Sequence, residues 1–258
     1  MEKYDLIVIG SGAGMSVAAN ALGEGLRVAL VEHGPLGGTC LNTGCIPSKI
    51  LIHPADVIRD LQEARRVGVV GSIQQVDFPH IMDRMRRFVD SDRQAMERGV
   101  LAAKDLKWYG GTGEFISDYT LKVGEETITA PKILISSGSR ALVPDIPGLG
   151  EMGFLDNTTV LQLKRLPGSI IIMGGGYIAC EYGHFFSALG AQATIIGRNP
   201  RLLKGEEPEI SDTVMRKFSR YARIYTGYEA VQAGREGHQK FIVARNVQDG
   251  KTYKFTAD

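Results

Sequence analysis

One pattern occurs twice in the chain and constrains its fold more than any other: an apolar strand, a glycine turn, a helix of small and apolar residues, and a second apolar strand. The first copy reads YDLIVIG, GAGMSVAANALGEG and RVALVE; the second reads SIIIMGGG, YIACEYGHFFSALG and AQATIIGR. Runs joined in this way are βαβ units, in which a helix crosses over between two parallel strands. Two of them in 258 residues predict an α/β protein with two Rossmann-like three-layer domains.

Between the two copies, residues 46 to 104 read as helical. LIHPADVIRDLQEARRVG and FPHIMDRMRRFVDSDRQAMERGVLAAKD fit a helical hairpin, with Phe88 on the core-facing stripe. Residues 106 to 136 give short strands broken by GGTG, SD and GE, a small antiparallel β-meander that ends in KILISSGS. The proline- and glycine-rich ALVPDIPGLGEMG marks a boundary. The first domain is therefore expected over residues 1–147, with its helical insertion over about 46–104, and the second over 148–258. The strand pair in FIVARNVQDGKTYKFTAD closes the chain, so the second domain is expected to be incomplete.

Composition narrows the function. A net charge of +1 with mixed acids and bases gives no basic field for nucleic acid or an anionic membrane. The acids interleaved through DRMRRFVDSDR make that helix a solvated face. The longest apolar stretch is far short of a membrane span, and the N-terminus runs straight into a strand. The expectation is a cytoplasmic protein acting on a small molecule, with no nucleic-acid or membrane partner. In a reducing compartment, three cysteines are not a disulfide scaffold, so a close pair points to catalysis, redox sensing or metal binding.

In IGSGAGM, Gly10 permits a tight turn, Gly12 lets backbone approach a pyrophosphate, and Gly14 opens the helix whose N-terminus meets that charge. Glu32, at the end of the second strand, can accept hydrogen bonds from ribose hydroxyls. One departure is Met15, which stands where the last glycine of G-x-G-x-x-G is expected to allow close helix-to-strand packing. In MGGGYIACE, Gly174, Gly176 and Ala179 complete G-x-G-x-x-A, the nicotinamide dinucleotide version of the same turn. At the next strand end Gly197 stands where a ribose-binding acid would discriminate for NAD, and Arg198, Arg201 and Lys204 follow. Arginines there can clamp a 2′-phosphate, which makes NADP at least as good a fit as NAD; the alternative is a solvated basic loop.

The stretch GGTCLNTGCIPSK sets Cys40 and Cys45 among Gly37, Gly38, Gly44 and Pro47. Residues five apart do not face each other squarely on a regular helix, so a bond between them requires a loop or a distorted first turn. A helix beginning around Pro47 places Cys45 near its positive end, and Lys49 adds a cation, both of which favour a thiolate. Two buried, inert cysteines or half of a zinc site are the other readings, but no further ligands stand at zinc-site spacing, so no metal is expected. Cys180, alone on a helix, reads as core.

GGTCLNTGCIPSK together with the two glycine loops resembles the pyridine nucleotide-disulfide oxidoreductases, over essentially the whole chain. The resemblance implies that Cys40 and Cys45 form a redox-active disulfide, with Cys45 next to the flavin and Cys40 exchanging with substrate. It implies FAD held by Gly10, Gly12, Gly14, Glu32, Gly38, Thr39, Lys49, Thr112, Gly113, Ser136, Ser137 and Gly138. NAD or NADP would lie along Gly174, Gly176, Tyr177, Ile178, Arg198 and Arg201. Lys49 would pair with Glu181, and Tyr177 would gate the flavin; by itself Tyr177 could equally be a surface aromatic at a helix start.

The implied activity is electron transfer among NAD(P)H, FAD and the Cys40–Cys45 pair, with a small-molecule disulfide or dithiol such as lipoamide as partner. CLNTGCIPSK is most similar to the dihydrolipoamide dehydrogenase branch; mercuric, mycothione and other low-molecular-weight disulfide reductases are alternatives, as is a non-catalytic flavin- or nucleotide-binding module. Members of the family are homodimers whose C-terminal domain supplies a histidine base. None of His33, His53, His80, His184 or His238 sits in such a context. The expectation is an N-terminal fragment without the dimerisation domain, impaired in turnover.

Overall fold

A computed structural model describes residues 1–258, which divide into two compact units. The first comprises Met1–Pro47 and Arg84–Ala141, the second Ser48–Asp83 and Leu142–Asp258.

Elements of the first unit follow the chain as β1 (Glu2–Lys3), β2 (Leu6–Ile9), α1 (Gly14–Gly23), β3 (Val28–Glu32) and the short α2 (Gly38–Asn42). Two long helices, α3 (Cys45–Glu63) and α4 (Phe78–Ala102), form the helical insertion and are shared between the units. They are followed by β4 (Leu106–Gly110), β5 (Gly113–Ser117), β6 (Thr120–Val123), β7 (Glu126–Thr129) and β8 (Ile133–Ile135). A parallel sheet runs in the order β4-β3-β2-β8. The β5-β6-β7 meander is antiparallel, and β1 joins its edge in parallel to β7.

The parallel strands are apolar on both faces because both faces are covered. Leu6, Val8, Val28 and Leu30 point to the helix side with Ala18, Ala21 and Val100. Their alternates Ile7, Ala29 and Val31 point to the meander side with Leu121, Val123 and Ile128. This period-2 division makes LIVI and VALVE read as unbroken hydrophobic runs. On α4 the buried stripe is Phe78, Met82, Met85, Val89 and Val100. Phe88 lies off that stripe and is 49% exposed, so its expected core-facing position is corrected: it sits one residue, about 100°, away from Val89 around the helix.

The second unit adds α5 (Leu149–Met152), β9 (Ser169–Met173), α6 (Tyr177–Leu189), β10 (Gln192–Gly197), α7 (Pro208–Phe218), β11 (Arg223–Thr226), β12 (Tyr228–Glu236), β13 (Gln239–Asn246) and β14 (Thr252–Ala257). A parallel β11-β10-β9 sheet and an antiparallel β12-β13-β14 sheet repeat the layering. Ile195 faces α6 and α7 with Ala179 and Leu202, whereas Ile196 faces the antiparallel layer with Ala233, Ile242 and Ala244. The closing strand pair is present as β13 and β14. The sequence reading missed β12 because EAVQAGRE lacks a clean alternation, and its pairing contains a bulge between Ala230 and Gln232.

Most of α3 groups with this second unit, and its side chains show why. Asp56 Oδ1 lies 2.9 Å from His184 Nε2, and Arg59 donates to Ser187 Oγ at 2.9 Å. The Arg59 guanidinium stacks 3.8 Å from the Tyr221 ring, whose hydroxyl donates to Glu63.

Candidate functional site

The first glycine loop is a place where backbones touch. Gly10 has φ +99°, and a Cβ there would lie 2.2 Å from the Ser136 carbonyl oxygen. Ser136 closes over the loop from β8, its hydroxyl donating to the Ile9 and Gly10 carbonyls. A Cβ on Gly14 would meet Val8 Cγ1 at 2.6 Å. Gly14 is therefore the residue that permits close helix-to-strand packing, which removes the difficulty posed by Met15; that side chain packs at the edge of the helix-side core.

Across the loop, Gly38 at φ +59° lies against Gly12 so closely that a Cβ would fall 2.6 Å from the Gly12 Cα. Glu32 ends β3 beside the same loop, its Oε2 accepting from the Ser11 amide (2.9 Å) and hydroxyl (2.8 Å) and its Oε1 from the Gly34 amide (2.8 Å). Burial pushes the Glu32 carboxyl upward, but the Ser11 and Gly34 donors outweigh it and hold the group below the usual carboxylate range. Thr112 and Gly113 follow the end of β4, which is in register with Glu32, and Ser137 and Gly138 lie exposed beyond β8.

From Gly38 the chain turns into α2, which carries Thr39 and Cys40. Asn42 ties this segment down, its amide donating to the Leu36 and Gly38 carbonyls at 2.9 Å each. Cys45 opens α3, earlier than the expected start around Pro47. Both cysteines are exposed free thiols, and their side chains are hydrogen-bonded to each other. The backbone amides of Cys45 and Ile46 point at the Cys40 sulfur, so the positive end of α3 serves Cys40 as well as the cysteine it carries. The bond with Cys45, with burial second, nevertheless pushes the Cys40 thiol up.

In the second unit Gly174 turns the chain at φ +127°, its amide donating to the Ile196 carbonyl, and Gly176 precedes the first turn of α6. Tyr177 is 69% exposed and Ile178 is also exposed at that helix start. Lys49 donates through Nζ to Glu181 Oε1, which brings together two residues far apart in sequence. At the end of β10, Gly197 is buried against the Gly174 and Gly175 backbone; beyond it Arg198 is exposed and Arg201 Nε lies 3.5 Å from Asp212. Cys180 packs in the core with its thiol pushed up to about 11 by burial and the neighbouring Glu181 charge.

Ser11 is the participant the sequence reading passed over. It is 1% exposed, and its hydroxyl both donates to Glu32 and accepts from the Gly37 amide at 3.0 Å. A serine between two turn glycines is the available signal, but its partners are set by the fold.

Two strand–glycine–helix loops, an ionised acid at the end of the following strand in the first unit, and a dithiol two residues beyond a backbone-to-backbone glycine contact define a two-nucleotide redox protein. A family model for pyridine nucleotide-disulphide oxidoreductase matches residues 4–258, and the chain belongs to that family. It is 34% identical over 233 residues to a mercuric reductase of Bacillus cereus, covering 89% of this chain and 37% of that protein. A dihydrolipoyl dehydrogenase of Chlamydia muridarum is 35% identical, over 85% of this chain and 48% of that protein. The solved Cu(II) complex of the HOCl-induced flavoprotein disulfide reductase RclA from Escherichia coli superposes with a TM-score of 0.85 at 29% identity, covering all of this chain and 55% of that one. The chain thus spans between 37% and 55% of the length of these relatives.

The cofactors of this family are FAD and NAD(P)H. The first loop fits a dinucleotide: side chains are missing from Gly12 and Gly38 where a diphosphate would approach, and Glu32 is ionised beside them. No helix is long and apolar enough to cross a membrane.

Proposed function

We propose that this chain carries the electron-transfer half of a flavoprotein disulfide reductase whose working group is the Cys40–Cys45 dithiol. The observation that carries the reading is the hydrogen-bonded pair of exposed thiols, beginning two residues after the glycine that lies against the FAD-type loop. Gly10, Gly12, Gly14, Glu32, Gly38, Thr39, Thr112, Gly113, Ser136, Ser137 and Gly138 would hold FAD, with Lys49 toward its ring. Gly174, Gly176, Tyr177, Ile178, Arg198 and Arg201 would hold the pyridine nucleotide. FAD supplies a two-electron carrier between nicotinamide and sulfur.

The dithiol chemistry belongs to the chain itself. Cys40, once deprotonated, attacks one sulfur of a substrate disulfide, forming a mixed disulfide and expelling one thiolate. Cys45 then attacks Cys40, closing the Cys40–Cys45 disulfide and releasing the second substrate thiol. The dithiol loses two electrons, the substrate gains them, and the two cysteine protons end on the product thiols. The preferred substrate is a small disulfide of the lipoamide type. Mercuric ion is the second reading, favoured by the similarity to mercuric reductases.

The test is anaerobic titration of the FAD-loaded chain with NADPH and NADH, followed by thiol counting. Uptake of two electron equivalents beyond FAD, lost in Cys40→Ser and Cys45→Ser, is expected; equal uptake with and without the cysteines overturns the reading. NADPH is expected to be preferred. A Cβ on Gly197 would make ordinary contacts, its nearest neighbours lying at 3.6 Å. Gly197→Glu should therefore shift the preference toward NADH about ten-fold, measured as the ratio of the two reduction rates. Assays of lipoamide and mercuric ion reduction with the complete protein discriminate the substrates.

A further inference from the structure

Ser11 occupies more of Glu32 than a passive loop residue would. Its amide and hydroxyl both donate to Oε2, at 2.9 and 2.8 Å, while the Gly34 amide takes one lone pair of Oε1 at 2.8 Å. A carboxylate offers about four acceptor directions. Those of Oε2 are spent on Ser11, which leaves the second direction of Oε1, on the atom that His33 Nδ1 approaches to 3.4 Å, for an outside donor. The same hydroxyl accepts from the Gly37 amide, next to the glycine that lies against Gly12. A nearly inaccessible hydroxyl, donating once and accepting once, thereby joins the glycine loop, the acid at the end of β3 and the segment leading to the dithiol.

We propose that Ser11 is a positioning residue for FAD: it holds Glu32 in the one orientation that presents Oε1 to a ribose hydroxyl. This rests on the assignment of Glu32 to the ribose. Ser11 itself contacts protein groups and acts through Glu32.

The experiment is titration of the full 258-residue apo-chain with FAD, followed by flavin fluorescence, for wild type, Ser11→Ala, Glu32→Gln and the double variant, from pH 7 downward. Ser11→Ala should raise the Kd about ten-fold, the scale of one hydrogen bond to a charged group. Because Ser11 works through Glu32, the double variant should bind only slightly less well than Glu32→Gln. The pH at which affinity falls should rise in Ser11→Ala, since burial of Glu32 is then less offset. His33, whose Nδ1 is 3.4 Å from Oε1, is the titratable side chain facing that carboxylate and is common to all variants.

Thermal unfolding of the apo-chains shows whether Ser11→Ala is folded; if it is not, Ser11→Cys, of similar size and a weaker donor, replaces it with the same expected direction. Unchanged affinity and pH profile in the serine variant, with weakened Glu32→Gln, overturns the proposal and leaves the Glu32 assignment standing. Multiplicative effects in the double variant overturn action through Glu32. Full affinity in Glu32→Gln, or no FAD binding by wild type, overturns the assignment and the proposal together.

Discussion

At the scale of single residues, two contacts decide how the dithiol and the loop behave. The Cys40 thiol is pushed up chiefly by its bond to Cys45, against the pull of the Cys45 and Ile46 amides. Replacing Cys45 by Ala removes the upward influence and leaves the amides, so Cys40 should be alkylated by iodoacetamide at lower pH than in the reduced wild type. Mass spectrometry of the Cys40 peptide across pH 6 to 10 checks the sign. At the loop, Gly10→Ala would place a methyl 2.2 Å from a carbonyl oxygen at φ +99°. A backbone neighbour cannot swing aside, so a loss of roughly 2 kcal/mol or more in urea unfolding is expected, with loss of FAD binding. Gly10 was legible in the sequence because turn chemistry is local. The reassignment from Met15 to Gly14 was not, since it depends on where Val8 and Ser136 lie across the sheet.

At the scale of elements, α3 is fastened to the second unit by a polar row along its length: Lys49 with Glu181, Asp56 with His184, Arg59 with Ser187, and Glu63 with Tyr221. Arg59 is central, stacking on Tyr221 while burial holds its guanidinium below the usual range. Arg59→Ala should cost about 1 to 3 kcal/mol by urea unfolding, from a lost cation–π contact and lost hydrogen bonds to Ser187 and Gln62. Tyr221→Phe keeps the ring and should cost less than about 1 kcal/mol. A helix was readable here from its period, but its partner was not, because the acids and bases along one face do not specify which helix answers them. The Phe88 correction has the same origin: two adjacent apolar residues compete for one stripe, and packing chooses Val89.

For the whole molecule, the buried Tyr4 and Tyr109 and the half-buried Tyr182 and Cys180 set an alkaline limit. Tyr182 is pushed up to about 12 and Cys180 to about 11, each first by burial, and Tyr4 and Tyr109 are raised as well, again first by burial. A raised folded pKa stabilises fully below the ordinary value and is lost as pH climbs to the folded value. Stability should therefore fall from about pH 9 to 12. Tyr182→Phe should retain more of it at pH 11, by up to roughly 1 kcal/mol, in urea unfolding at pH 8 and 11. At the acid end Glu32 is depressed, so its contribution is present above the ordinary carboxylate value and disappears as pH falls through the folded one.

The amino-acid order alone determined the two βαβ units, both glycine loops, the helical insertion and the paired cysteines, because strand runs, turn glycines and helix period are interactions among near neighbours. Tertiary structure decided that Ser11 grips Glu32 and Gly37, that the first amides of α3 point at Cys40, that β12 completes an antiparallel layer, and that α3 from Ser48 onward groups with the second unit. These depend on register and packing between segments far apart in the chain, where a hydrogen bond is made or missed by an ångström that no local pattern records.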